Sequence, residues 1–265
     1  MPWASLPAKC LTRVETWSAT IGTGELWQVL AVLFVATVVR SAFGFGEALV
    51  AVPLLAFILP VELASPVVAL VSITVALLVV VQDWHKVHVR SAGWLVLSTV
   101  LGTPLGLLLL TRVPEPMVKG LLAGLIIAFS TYSLFARLRS TLVDDRYAGL
   151  FGFVAGILGG AYGINGPPLV IYGALRGWSP QHFRATLQGY FFPASLLVMG
   201  GYWIAGLWTP TVNTYYLASL PVVVPALLIG RYLNHRMHGG YFLRYVHIGL
   251  IGIGVLLLVQ SCVVR

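Results

Sequence analysis

Ten apolar stretches follow one another along the chain, and no polar stretch between them is long enough to form a separate soluble domain. Six of them are about as long as the roughly 20 apolar residues that a membrane-crossing helix needs. Only 9% of the residues are charged, against about a quarter in a soluble domain, which excludes a soluble enzyme, a disordered chain and a disulfide scaffold. The sequence therefore predicts an all-α polytopic membrane protein. The stretches lie near residues 26–40, 45–59, 63–82, 91–110, 117–136, 148–160, 166–176, 186–206, 212–230 and 241–262.

The four short stretches form two adjacent pairs, and a glycine-rich tract interrupts each pair. The first tract reads SAFGFG and the second AYGING, and proline follows each of them. Glycine-broken short segments at corresponding places of two halves are typical of a transporter binding site. Pro53 also matches Pro168 at an offset of 115 residues, and Gly106 matches Gly230 at 124. We therefore predict two inverted-topology repeats, each a glycine-broken helical hairpin followed by three transmembrane helices.

This repeat divides the chain into four regions. We expect an extramembrane leader at 1–25, a first transmembrane repeat at 26–136, a basic cytoplasmic linker at 137–147 and a second, inverted transmembrane repeat at 148–262. If each hairpin returns to its starting side, nine basic residues lie on one side of the membrane and five on the other. Basic residues accumulate in cytoplasmic loops, so both termini are predicted to be extracytoplasmic in a cell (plasma or inner) membrane. Charge counting leaves open whether the hairpins are re-entrant or fully spanning.

The second break offers a group of candidate substrate-binding residues. Asn165 is a natural helix N-cap, and prolines favour a first helical turn, so a half-helix is predicted to begin inside the protein. Its free N–H groups and positive dipole end would favour an anion. Close helix packing through small residues is the alternative interpretation. The candidates here are Gly160, Tyr162, Gly163, Asn165 and Gly166, together with Gln188 on the following long stretch.

The first break adds Gly44, Gly46 and two ionisable residues, Arg40 and Glu47, within apolar sequence. Buried charges at membrane depth usually pair or face a cavity. One interpretation is a structural Arg40–Glu47 bridge that holds the hairpin together. The other assigns Arg40 to an anionic substrate and makes Glu47 a proton-linked switch, since burial favours the neutral carboxyl group. Both can apply in different transport states.

The two glycine tracts with their following proline and leucine, GFGEALVAVPLL and GGAYGINGPPLVIY, resemble the sulfite exporter TauE/SafE family over about residues 26–258. This resemblance implies a transporter of sulfite or organosulfonate anions with a site between the broken hairpins. It also implies an export direction. Glu47 departs from the family pattern, which often continues with glycine, and indicates another substrate or proton coupling.

Together these features predict a secondary active transporter of small anions that works by alternating access around a midplane site. An anion channel, or an intramembrane enzyme or assembly factor, is the alternative. We expect no catalytic residues, no metal and no cofactor, with coupling to H⁺ or Na⁺ left open. The expected partners are the anion, the lipid bilayer and, in one assembly state, a second copy of the chain, but not nucleic acid.

Overall fold

The computed structural model describes residues 23–83, 89–135, 147–178, 180–236 and 240–263. All regular structure in these ranges is helical, and it comprises ten helices. The helices are α1 (Thr23–Phe43), α2 (Glu47–Leu55), α3 (Val61–Asp83), α4 (Val89–Arg112), α5 (Glu115–Phe135), α6 (Ala148–Tyr162), α7 (Gly166–Leu175), α8 (Pro180–Ile204), α9 (Pro210–Arg236) and α10 (Gly240–Val263). Most of the predicted leader at 1–25 and most of the predicted linker at 137–147 lie outside the described residues, whereas residues 23–25 of the leader begin α1.

Five described segments are long and apolar enough to cross a membrane, on α1, α3, α4, α5 and α9. The α1 segment, Gly24–Phe43, corrects the prediction of a short stretch at 26–40. The helix continues through Ser41, Ala42 and Phe43 because nothing in these residues interrupts a helical backbone before Gly44. By contrast, α2 has 9 residues and α7 has 10. At 1.5 Å per residue, each of these reaches about half the roughly 30 Å of the hydrocarbon layer.

The outward face of the helix bundle is apolar, as a lipid-facing surface requires. Large hydrophobic side chains such as Leu101, Trp203 and Ile204 are mostly exposed, at 70%, 69% and 74%. The buried core is apolar as well and runs through most of the helices. An exposed face this rich in large apolar residues is stable beside lipid tails but not beside water.

The two predicted breaks end the preceding helix in the same way but begin the next helix differently, because Gly46 has a φ of 97° and Asn165 a φ of −86°. Gly44 and Gly163 both have positive φ, 84° and 68°. The N–H of Gly44 donates to the carbonyl of Arg40 at 2.6 Å, and the N–H of Gly163 donates to that of Gly159 at 2.7 Å. This left-handed glycine termination is a common helix end. Each break is three residues long, 44–46 and 163–165, and so shorter than the glycine tracts.

The equivalent positions of the two breaks lie 119 residues apart, both at the terminating glycines and at the first residues of α2 and α7. The offset of 115 inferred from Pro53 and Pro168 is therefore displaced by one helical turn. The prolines mislead because each occupies a different turn of its half-helix: Pro53 lies well inside α2, whereas Pro168 is in the first turn of α7.

The helices of the two halves pack against each other in a reciprocal pattern. Helix α4 packs on α6 and α9 packs on α1, while α3 pairs with α8 and α5 with α10. Glycines mediate the first two contacts. A Cβ added at Gly106 would lie within 3 Å of backbone atoms of Ile157, Gly160 and Ala161. A Cβ added at Gly230 would lie within about 3 Å of Val38 and Ser41. The contacted residues Val38 and Ile157 again lie 119 residues apart.

Candidate functional site

A small cavity lies where the two breaks meet the middle of α3 and α8. Its volume is about 30 Å³, roughly the share of one molecule in liquid water. Six of the ten predicted site residues line it: Arg40, Gly46, Glu47, Gly163, Asn165 and Gly166. The remaining described lining residues are Phe45, Ala48, Leu49, Ser72, Ile164, Pro167, Phe191 and Ser195.

Arg40 and Glu47 form a buried ion pair beside this cavity. Arg40 lies in the last turn of α1 and Glu47 in the first turn of α2, where the helix dipoles favour a cation and an anion respectively. Nη1 of Arg40 lies 2.5 Å from Oε2 of Glu47, and each residue is 2% exposed. The structural bridge expected from the sequence is therefore present.

Two hydroxyl groups add hydrogen bonds to this pair. Thr37, one turn before Arg40 on α1, donates to Oε1 of Glu47 at 3.1 Å. Ser72 on α3 accepts from Nη1 of Arg40 at 2.5 Å and donates to Oε2 of Glu47 at 2.8 Å. The pair is thus tied to a third helix, and a single nitrogen of the guanidinium makes both of its bonds.

The other edge of the Arg40 guanidinium carries buried donors without partners. Nε and Nη2 have no hydrogen-bond acceptor. The ring of Phe191 on α8 lies 5.2 Å from Cζ, which is within cation–π range. A buried donor without a partner is costly, so this edge is where the site would gain most from an added acceptor.

The second break contributes less hydrogen-bonding capacity than its sequence indicates. Asn165 occupies the N-cap position of α7, as predicted, but its side chain makes no capping hydrogen bond. A capping side chain accepts from the second or third N–H of the helix, and these positions hold Pro167 and Pro168, which have no N–H. Oδ1 of Asn165 has no partner and packs against Gly159. In α2, the first helical positions Glu47, Ala48 and Leu49 all keep their N–H groups.

A much larger groove, of about 1160 Å³, lies between α4 and α8 on the outside of the bundle. Its described lining contains no charged residue and includes Leu97, Leu196 and Ile204, all largely exposed. An apolar groove on a lipid-facing surface has nothing to compensate the charge of an anion. The small cavity at the breaks is the candidate site.

A family comparison matches the sulfite exporter TauE/SafE family over residues 29–257 of the chain's 265. This match covers both breaks, the cavity, eight of the ten described helices completely and most of α1 and α10. The chain belongs to the TauE/SafE family. Comparisons with curated proteins and with solved structures give no match. TauE/SafE membership and the apolar helices together identify a multi-pass membrane protein of the anion-transporter type.

Three further predicted site residues of this TauE/SafE protein lie away from the cavity, and a fourth cannot be placed. Gly44 terminates α1. Gly160 packs against the backbone of α4 at Thr103 and Leu107. Tyr162 donates its hydroxyl hydrogen to the carbonyl of Val118 on α5 at 3.0 Å. The side chain of Gln188 lies outside the described part of the structure.

Sequence reasoning missed Thr37, Ser72, Phe191 and Ser195. Thr37 had a local signal, because residues three apart on a helix share a face and Thr37 precedes Arg40 by three. Ser72 and the two α8 residues had none, since only the packing of α3 and α8 against the breaks brings them to the cavity. For metals, no cluster of three or more His, Cys, Asp or Glu side chains occurs among the described residues.

Proposed function

We propose that this protein carries small sulfur-containing oxyanions, of the sulfite or organosulfonate type, across the cell membrane, outward as its family description indicates. The observation that supports this proposal is the unpaired Nε–Nη2 edge of Arg40 at a cavity between the two breaks. The two N–H groups of such an edge are parallel and match two oxygens of one oxyanion. Phe191 and Ile164 would cover the remainder of a small substrate.

The substrate would bind with the Arg40–Glu47 pair still in place. Glu47 and Ser72 both contact Nη1, so an anion on the opposite edge does not have to displace them. The N-terminus of α2, formed by Glu47, Ala48 and Leu49, lines the same cavity and adds positive dipole. The structural bridge and the binding role of Arg40 are therefore compatible within one geometry.

Access to the site requires the cavity to widen, because about 30 Å³ is too small for an anion of four or more heavy atoms. An inverted repeat would provide this movement by alternating access. The reciprocal packing of α4 on α6 and of α9 on α1 supports such a repeat, as does the offset of 119 residues that recurs at both breaks. The units α4–α6 and α9–α1 would then rock around the cavity.

Transport by purified protein in liposomes tests the function. We expect saturable uptake of labelled methanesulfonate or sulfite, and competition by other sulfonates but not by chloride at the same concentration, because chloride cannot bind two N–H groups through two oxygens. Liposomes without protein are the control. Uptake that rises linearly with concentration would indicate a channel instead, and no uptake of any of these anions under any ion gradient would refute the proposal.

Cysteine labelling tests the orientation, which places both termini outside the cell. In a background with Cys10 and Cys262 replaced by serine, Thr209→Cys in the α8–α9 connection should react with a membrane-impermeant maleimide in intact cells. Ala174→Cys at the end of α7 is exposed and should react only after permeabilisation. The reverse pattern would invert the topology.

A further inference from the structure

The candidate site carries no net charge when both of its ionised groups are counted. Arg40 and Glu47 are the only charged side chains among the described residues that line the cavity. At the equivalent positions of the second break, 119 residues further along, lie Gly159 and Gly166. An anion that entered beside an ionised pair would bring an uncompensated negative charge into a cavity walled by Phe45, Leu49 and Phe191. Such a charge is strongly disfavoured in apolar surroundings.

We propose that Glu47 takes up one proton for each monovalent anion that binds at Arg40, so that anion and proton cross the membrane together. Net transport is then outward only when the outward gradient of the anion exceeds an opposing pH gradient. This inference rests on the proposed function and adds its coupling ion. The proton binds a carboxylate oxygen of Glu47 and makes that side chain neutral, while Arg40 keeps its positive charge. The charge of the anion then balances that of Arg40, and the loaded site is neutral again.

The hydroxyl groups around Glu47 suit both of its protonation states. Thr37 and Ser72 now donate to the carboxylate. A hydroxyl group can rotate and accept a hydrogen bond instead, so either residue can receive the proton of a neutral carboxyl group. Nη1 of Arg40 can still donate to the other oxygen of Glu47. Glu47 can therefore gain or lose its proton while the hydroxyl groups of Thr37 and Ser72 and Nη1 of Arg40 all keep a hydrogen-bond partner.

A sodium ion fits the same place poorly. Hard cations collect several oxygen ligands, whereas the hydrogen bonds recorded for Glu47 in the described structure give it two hydroxyl neighbours, Thr37 and Ser72. The guanidinium of Arg40, at 2.5 Å from the carboxylate, would also repel a metal cation. A proton, in contrast, binds a single carboxylate oxygen and requires no further oxygen ligands.

Among the described residues that line the cavity, Arg40 is the one titratable group beside Glu47. On α5, Glu115 pairs with Lys119 at 3.1 Å, and on α10, His247 packs edge-on against Phe129. The breaks and α8 present Asn165, Phe191 and Ser195, which do not titrate near neutral pH. All eight acidic residues precede residue 146, so the second half of the chain contains no alternative carboxylate.

The test uses the full-length protein in liposomes with methanesulfonate, a monovalent anion that does not itself titrate near neutral pH. An imposed difference of one pH unit, with the membrane potential clamped at zero, should drive the wild type to about a tenfold accumulation on the alkaline side. Glu47→Gln should bring the steady-state ratio to one, and Glu47→Asp should retain accumulation. This ratio is independent of the transport rate, and exchange of labelled for unlabelled anion identifies variants that still move the substrate.

Binding by the wild type provides a second readout that needs no variant. Calorimetric titrations in two buffers of different ionisation enthalpy should give an uptake of about one proton per methanesulfonate bound. Proton uptake near zero, or equal accumulation by the wild type and Glu47→Gln, would overturn the coupling. Downhill transport without pH-driven accumulation would support the proposed anion transport and refute the proton coupling. An absence of all transport would refute both proposals.

Discussion

Replacing Arg40 with methionine should abolish saturable anion uptake, by at least about 100-fold, and should also destabilise the protein. The substitution removes the two unpaired donors of Arg40 and leaves Glu47 buried at 2% exposure without its cation. Removal of one partner of a buried pair costs about 3–5 kcal/mol. Thermal unfolding in detergent and uptake in liposomes measure the two effects separately. Arg231→Met, at an exposed position of α9, is the matched control and should change neither measurement appreciably.

The double variant Arg40→Met/Glu47→Met separates stability from function. A buried pair replaced by apolar residues of similar size is often as stable as the original, so the melting temperature should return close to that of the wild type. Uptake should remain absent because the donors for the anion are still missing. A double variant that folds and also transports at the wild-type rate would mean that the pair is only a structural staple.

Replacing Gly106 with leucine should disrupt the bundle more than any other single change at a helix contact discussed above. The new side chain would begin within 3 Å of the backbone of α6, where no flexible side chain can move aside. Overpacking costs about 1–3 kcal/mol even where side chains can adjust, and here two helix backbones must separate. We expect loss of the monodisperse peak of the folded protein in size-exclusion chromatography, with Gly230→Leu behaving in the same way.

Gly124→Leu provides the control for this pair. Gly124 lies on α5, is exposed, and has no atom within 4 Å of an added Cβ. Leucine has a higher helix propensity than glycine by up to about 1 kcal/mol, so this variant should be as stable as the wild type or slightly more stable. If Gly106→Leu matched Gly124→Leu in stability, the close approach of α4 and α6 would be wrong.

The parts of the fold that could be predicted are those with a local physical cause. Gly44 and Gly163 end their helices because glycine tolerates positive φ. Arg40 and Glu47 meet because they occupy the facing ends of two helices separated by only three residues. The absence of a capping hydrogen bond from Asn165 to α7 could also have been predicted from the sequence, because Pro167 and Pro168 lack the N–H donors that a cap requires. The prediction used the two prolines as a sign of a helix start and did not consider the N–H groups that they remove.

The remainder depends on contacts between distant segments. Ser72 and Phe191 are 32 and 151 positions from Arg40, and only helix packing brings them to the guanidinium. Gly160 and Tyr162 look like site residues because they border a break, but they lie on faces of α6 that pack against α4 and α5. Sequence periodicity could not separate these faces, because α6 is apolar on all sides.

The difference between the two breaks has a consequence for stoichiometry. Both breaks end the preceding helix at a left-handed glycine, but Arg40 and Glu47 have only Gly159 and Gly166 as counterparts. Two equivalent halves would be expected to provide two equivalent anion-binding sites, one in each half. With a guanidinium in one half only, a saturated chain should hold a single anion, and a binding isotherm should fit one class of sites with a molar ratio of one.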